Sequence, residues 1–244
     1  MPEGPEIRRA ADRIASAIEG EVVDEVFFAF DALKPWQSAL RGKRVRVVEP
    51  RGKALLIRFE DGPTMYSHNQ LYGRWFIRER GVLPRTRRQL RAAIHTERTS
   101  ALLYSASEID VLTPAQIATH PFLASLGPDV VSDGVGMVLA QIRAERFRRR
   151  RLASLLLDQG FLAGVGNYLR SEILFVAGLH PQRRPMDCSD AELEALADAA
   201  VTLAQRAYRH NGVTNDLQIA RRLKAEGQPR SRYRHWVFAR ADRA

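Results

Sequence analysis

The chain changes its rhythm of apolar and polar positions twice. Between residues 5 and 19, Ile7, Ala10, Ala11, Ile14, Ala17 and Ile18 recur at helical spacing, with Arg8, Arg9, Asp12 and Arg13 on the other face. That stripe predicts an amphipathic helix, and Gly20 supplies its stop. The next hundred residues switch to short runs rich in β-branched and aromatic side chains. Strands are expected over 22–28, 44–48, 54–59, 64–67, 74–77, 90–94 and 101–104, separated by Gly42, Asp61-Gly62-Pro63 and Gly81. Many short strands at close spacing predict a β-sandwich or barrel. The rhythm breaks again around 113–134. Thr113-Pro114-Ala115-Gln116 opens a short helix, and Pro121, Gly127-Pro128-Asp129 and Asp133-Gly134 read as a linker. Helices are then expected over 135–145, 149–159, 167–176, 189–209 and about 216–225. The fold class expected is therefore α+β in two domains. A helix and β-sandwich fill 1–120, a linker spans 121–134, and a mostly helical domain fills 135–244.

Composition narrows the setting. The hydrophobic share of 45% is ordinary for a globular chain, and no apolar run approaches the roughly 20 residues that span a bilayer. Charges interrupt the first helix, so it lacks the core of a signal peptide, and a soluble, cytoplasmic protein is expected. Cys188 is the single cysteine, which excludes an internal disulfide and a four-cysteine zinc site within these residues. The formal net charge of +10 points to a polyanionic partner, most simply nucleic acid. Only four of the 38 cationic residues are lysines: Lys34, Lys43, Lys53 and Lys224. Arginine serves for phosphate contacts, whereas lysine can also exchange a proton or form an imine.

Candidate chemistry begins at Met1-Pro2-Glu3-Gly4-Pro5-Glu6. Methionine is normally trimmed before a small residue such as proline, which would leave a secondary α-amine at Pro2 with a carboxylate one residue away. Such an amine has an ordinary pKa of roughly 7.7–8.0, so much of it is unprotonated near neutrality. Two readings stand at this point: an amine nucleophile beside an acid, or a tight turn leading into the first helix. Arg51-Gly52-Lys53 falls at a turn before a strand, where Lys53 is either a phosphate or proton-transfer group or a solvated turn residue. Ser67-His68-Asn69-Gln70-Leu71-Tyr72-Gly73 lies between two strands. It is either a wedge that fills a gap in a base stack or a hairpin packed on its own domain. The segment from Leu155 to Leu174 reads as helix, glycine turn, helix. Gly164-Val165-Gly166 gives a permissive backbone, Asn167 can cap the second helix, and N–H groups at that end attract phosphate. The basic run from Arg146 to Arg151 adds cationic side chains nearby in sequence.

In this order and at these separations, the motifs at Pro2–Glu6, Arg51–Lys53 and Asp158–Glu172 resemble one family. It is the formamidopyrimidine-DNA glycosylase and endonuclease VIII group of base-excision repair enzymes. The resemblance runs from Pro2 to about Phe238, and Gln70-Leu71-Tyr72 resembles the endonuclease VIII branch, which prefers oxidised pyrimidines. It implies a DNA glycosylase and abasic-site lyase acting on double-stranded DNA that carries oxidised bases or abasic sites, as a monomer. Pro2, Glu3 and Lys53 would be catalytic, through a Schiff base at Pro2 and β-elimination helped by Lys53. Glu6 would support the site, Gln70, Leu71 and Tyr72 would fill the vacated stack, and Asn167 would hold a backbone phosphate, positioned in part by Arg51. The alternative is a non-enzymatic binder of damaged DNA on the same fold, which retention of Met1 would favour. Two departures stand out. Ser125 occupies a region where relatives commonly place an arginine DNA contact, and serine supplies no charge. Family members also usually carry one structural zinc in a C-terminal finger, whose arginine supports δ-elimination. No finger cysteines are present, and Arg240 or Arg243 could replace that arginine only in part, so no cofactor and weak δ-elimination are expected.

Overall fold

The computed structural model describes residues 2–240. Met1 and Arg243, on which two of the expectations above bear, lie outside the described residues. The chain divides into two units: Pro2 with residues 7–124, and residues 3–6 with 125–240.

The first unit is built on the apolar stripe of helix α1 (Gly4–Ile18). Ile7, Ala11, Ile14 and Ile18 are all buried, and Gly20, at φ +82°, turns the chain out of the helix. Strand β1 (Glu25–Phe28) leads to α2 (Pro35–Leu40), and seven more strands follow: β2 (Val45–Arg51), β3 (Ala54–Phe59), β4 (Thr64–His68), β5 (Arg74–Glu79), β6 (Leu90–His95), β7 (Thr99–Tyr104) and β8 (Glu108–Leu112). They form two antiparallel four-stranded sheets, ordered β1-β6-β7-β5 and β2-β3-β4-β8. Both sheets contribute to one core with α1, through Val26, Phe28, Trp75 and Leu103 from the first and Val45, Ile57, Met65 and Val111 from the second. Strand β3 is apolar on both faces because both are covered. Leu55, Ile57 and Phe59 enter that core, while Ala54 and Leu56 pack with Tyr66 under Ile117, Phe122 and Leu123. These last three come from α3 (Pro114–Thr119) and α4 (Pro121–Ser125). Thr113 starts α3 with a reciprocal capping box to Gln116.

In the second unit, α5 (Val135–Arg143), α6 (Leu152–Leu155), α7 (Asn167–Val176) and α8 (Asp190–Arg209) pack around Leu152, Phe161, Leu169, Ile173, Leu196 and Leu203, and α9 (Leu217–Ala225) and α10 (Arg230–Tyr233) follow and contact each other. Ser189 and Glu192 cap α8 reciprocally, and Asp216 caps α9.

The elements depart from the sequence pattern in several places, including α2 and α10, which it does not predict. The helix expected over 149–159 is reduced to one turn, α6. Asp158 and Gln159 bond backbone groups of the following turn instead of continuing the helix, at Gly160 N (2.9 Å) and at Val165 O and Gly164 N (2.9 and 3.0 Å). Part of the segment expected as linker is helical, as α4. Strands were not expected at 108–112; β8 is short, and only Ile109 and Val111 of its alternating pattern face the core.

Candidate functional site

Glu3 is 3% exposed, although it stands at the third position of the chain. Its carboxylate accepts three backbone N–H groups at the start of α7: Gly166 at 2.8 Å, Tyr168 at 2.9 Å and Leu169 at 3.2 Å. Those donors belong to the first turn of a helix, which has no intrahelical partners for them and favours negative charge. The fit requires glycine. A Cβ on Gly166 would lie 2.4 Å from the Glu3 carboxyl carbon. Gly4 donates its N–H to Gly164 O at 2.8 Å, and a Cβ on Gly4 would lie 3.0 Å from the Gly164 Cα. The sequence reading gave the helix start to Asn167. In the structure Gly166 is the N-cap, Asn167 is the first helical residue, and Glu3 from 163 residues away satisfies the orphan donors. Phosphate attraction by these N–H groups is correspondingly reduced, because three are already taken. The Asn167 side chain itself is exposed.

Glu6 sits one turn along. Its carboxylate accepts the Glu3 N–H at 3.1 Å and the Tyr168 hydroxyl at 3.1 Å, and pairs with Arg234 at 3.2 Å. Burial, followed by the charges of Glu6 and Glu3, pushes the Tyr168 phenol well above its ordinary range, so it remains a donor. Arg234 also lies over the Tyr168 ring, 5.5 Å from its centroid. Beside this group, the fully buried Glu172 accepts the Thr214 hydroxyl at 2.6 Å and the N–H groups of Trp236, Val237 and Phe238 at 2.7, 2.8 and 2.9 Å. The segment after α10 is thus fastened to α7 by one carboxylate. Tyr168, Glu172, Thr214 and Arg234 carried no separate signal in the sequence, since their partners are distant along the chain.

In the first unit, Pro2 is half-buried. Lys53 is 8% exposed, at the tight turn where β2 passes into β3. Gly52, at φ +59°, makes that turn possible. Arg51 is exposed and lies 3.8 Å from Glu49. The His68 imidazole is lowered, mainly by burial, and also by the positive charge of Lys53 against the opposing effect of Glu108.

The loop between β4 and β5 is firmly built. Gly73 N donates to Asn69 O at 2.7 Å, and a Cβ on Gly73 would lie 2.6 Å from that same oxygen. Gln70 adopts φ +45° and donates its N–H to His68 Nδ1 at 3.1 Å. Its side chain is tied down, whereas Leu71 and Tyr72 at the tip are 57% and 64% exposed. Two large side chains thus stand in solvent on a hydrogen-bonded turn.

Ser125 is exposed at the end of α4. Arg240 donates to Arg232 O at 2.6 Å. The donors present do not suit a structural zinc. The chain has one cysteine, and among the described residues no three His, Cys, Asp or Glu side chains are grouped to hold a metal. Among those residues no helix is long and apolar enough to cross a membrane.

Comparisons with known proteins bear on the family and the fold. Residues 1–107 match the model of the formamidopyrimidine-DNA glycosylase N-terminal domain, and residues 126–218 match that of the formamidopyrimidine-DNA glycosylase H2TH domain. Endonuclease 8 of Klebsiella pneumoniae subsp. pneumoniae is 50% identical over 218 residues, covering 88% of this chain and 83% of that protein. Endonuclease 8 of Escherichia coli K12 is 49% identical over the same shares. Two solved structures of Lactococcus lactis Fpg share the fold. One is bound to DNA containing an abasic site (TM-score 0.72, 18% identity, covering 85% of this chain and 78% of that one). The other is bound to DNA containing an oxidised pyrimidine (TM-score 0.72, 18% identity, 85% and 80%).

Proposed function

This chain belongs to the formamidopyrimidine-DNA glycosylase family, and from that premise we propose that it is a bifunctional DNA glycosylase and abasic-site lyase that removes oxidised pyrimidines from double-stranded DNA. The observation that carries the reading is the tethered carboxylate of Glu3, bonded to the residue that supplies the amine. A side chain fixed by three backbone donors cannot wander, and catalysis gains from such fixed orientation.

The chemistry follows from the groups. Once Met1 is removed, the Pro2 nitrogen forms a bond to C1′ of the damaged nucleotide while the bond from C1′ to the base breaks, and the base leaves with that electron pair. Glu3 takes the proton that the newly bonded Pro2 nitrogen sheds and passes it to the sugar ring oxygen as the bond from C1′ to that oxygen breaks, which leaves an iminium between Pro2 and C1′. The iminium is an electron sink. Loss of a C2′ proton feeds its electron pair toward the iminium, and the bond from C3′ to the 3′ phosphate breaks with phosphate leaving. Lys53, at its turn, serves this β-elimination and contacts phosphate. Glu6 holds the Glu3 backbone and Tyr168 in place. Leu71 and Tyr72 enter the stack that the damaged base leaves, Gln70 faces the opposite strand, and Asn167 contacts a backbone phosphate. The protein works as a monomer in the cytoplasm, on nucleoid DNA.

Borohydride trapping on duplex DNA with one oxidised pyrimidine tests this. Met1-trimmed protein should give a covalent adduct. Pro2→Gln, whose larger second residue retains Met1, should give none. Absence of an adduct from the trimmed protein would sink the Schiff base, and lesion-selective binding without turnover would leave a damaged-DNA binder in its place.

A further inference from the structure

Strand β8 supplies something the motifs do not reveal. Glu108, its first residue, lies directly across from His68 at the end of β4, two residues before Gln70. One oxygen of its carboxylate accepts the hydroxyl of the fully buried Tyr66 at 2.8 Å, and the other accepts Gln70 Nε2 at 2.9 Å. Ser107, one residue earlier, donates its hydroxyl to Gln70 Oε1 at 2.9 Å.

A glutamine amide can normally present either end, because its oxygen and nitrogen are similar in size. Here it cannot. An ionised carboxylate only accepts, so the NH2 end must face Glu108. The reversed amide would set oxygen against oxygen at Glu108; the Ser107 hydroxyl, which can donate or accept, anchors the other end without choosing it. The backbone is fixed as well, through the Gln70 N–H on His68 Nδ1 and the Asn69–Gly73 bond beneath the loop. One N–H and one oxygen lone pair of the amide remain, in a set order, on an exposed residue.

We propose that Glu108, with Ser107, is a positioning residue that locks the Gln70 amide in one orientation and thereby sets which base is accepted opposite the lesion. An ordered donor and acceptor is what distinguishes one base edge from another. Stacking on Leu71 or Tyr72 is tolerant of base identity, so the choice falls to Gln70. The inference rests on the reading of this protein as a glycosylase whose Gln70 faces the undamaged strand.

The test measures single-turnover excision of one oxidised pyrimidine opposite each of the four bases, for wild type, Glu108→Gln, Ser107→Ala and Gln70→Ala. Cleavage of a preformed abasic site in single-stranded DNA serves as the control. Glu108→Gln keeps the volume but adds a donor, so both amide orientations become possible. The ratio between best and worst opposite base should fall toward one, from a wild-type ratio of about ten or more. Gln70→Ala should flatten it equally, Ser107→Ala should flatten it partly, and single-strand cleavage should stay unchanged in Glu108→Gln and Ser107→Ala. A flat wild-type profile, or a Glu108→Gln profile that keeps its spread, overturns the proposal. A wild type that removes no base overturns the glycosylase reading beneath it, and the two failures are told apart by that activity alone.

Discussion

The tie between Glu3 and α7 is settled by single atoms. Gly166 has no Cβ, and that absence makes room for the carboxylate. Gly166→Ala would drive a methyl group to 2.4 Å from the Glu3 carboxyl carbon, so the side chain must leave its three donors. Hydrogen bonds to a charged group are worth about 1.5–3 kcal/mol each, and stranding them costs more than losing an exposed contact. We predict that Gly166→Ala and Glu3→Gln both reduce excision of an oxidised pyrimidine by about 10² or more, while trapping on a preformed abasic site, which needs no base removal, falls far less. Equal losses on the two substrates would place Glu3 in the lyase step instead. At this scale the sequence was partly legible. Pro2, Glu3 and Lys53 stand in short motifs whose residue types suggest chemistry. The receptor for Glu3 did not declare itself, because 163 residues separate it from Gly166 and a helix start with glycine looks the same whether empty or filled.

Elements were legible where their periodicity was complete. Helix α1 and strand β3 carry unbroken apolar patterns, and both appear close to where the pattern put them. Strand β8 and the shortened α6 were obscured for opposite reasons: β8 has only two inward residues, while α6 looks helical until side chains of Asp158 and Gln159 capture the backbone. The segment after α10 was opaque because a distant carboxylate, Glu172, organises it. That segment carries a pH dependence. His235 is buried, its Nδ1 lies 2.8 Å from the Thr214 hydroxyl, and its ring stacks near Tyr168. Burial lowers its pKa to about 4; Arg234, Arg230 and Arg240 lower it as well, and Glu172 opposes them. The folded state therefore prefers neutral imidazole, while the unfolded chain protonates near 6.5. Stability is complete above about pH 6.5 and declines as pH falls toward 4, by a few kcal/mol at most. Urea unfolding from pH 7 to 4 should show this decline. His235→Gln should flatten it, and the protection of amides 236–238 against exchange, relative to their intrinsic rates at each pH, should fall first. An unchanged slope in that variant would assign the decline to other groups.

Over the whole molecule, charge is the property the sequence states most openly, and the structure shows where some of it stays unspent. Many arginines are tied to acids, such as Arg150 to Asp158 and Arg183 to Glu192. Arg85 and Arg87 in the first unit and Arg149 in the second are exposed and make no ion pair with a carboxylate among the described residues. A net charge of +10 carried on such side chains favours DNA through release of counterions from phosphates, a term that depends on salt and not on sequence. If six phosphates are neutralised, affinity for an undamaged duplex should fall by about 10³ between 50 and 200 mM salt. Each arginine that touches a phosphate accounts for about one unit of the slope of log affinity against log salt. Arg149→Gln should therefore lower that slope by about one unit and weaken lesion-bearing and undamaged duplexes alike, because a phosphate contact does not read the base. Fluorescence anisotropy across a salt series measures both quantities. A slope near zero for the wild type would mean that the excess charge is not what holds DNA, and binding would then depend on the loop at Gln70, Leu71 and Tyr72 alone.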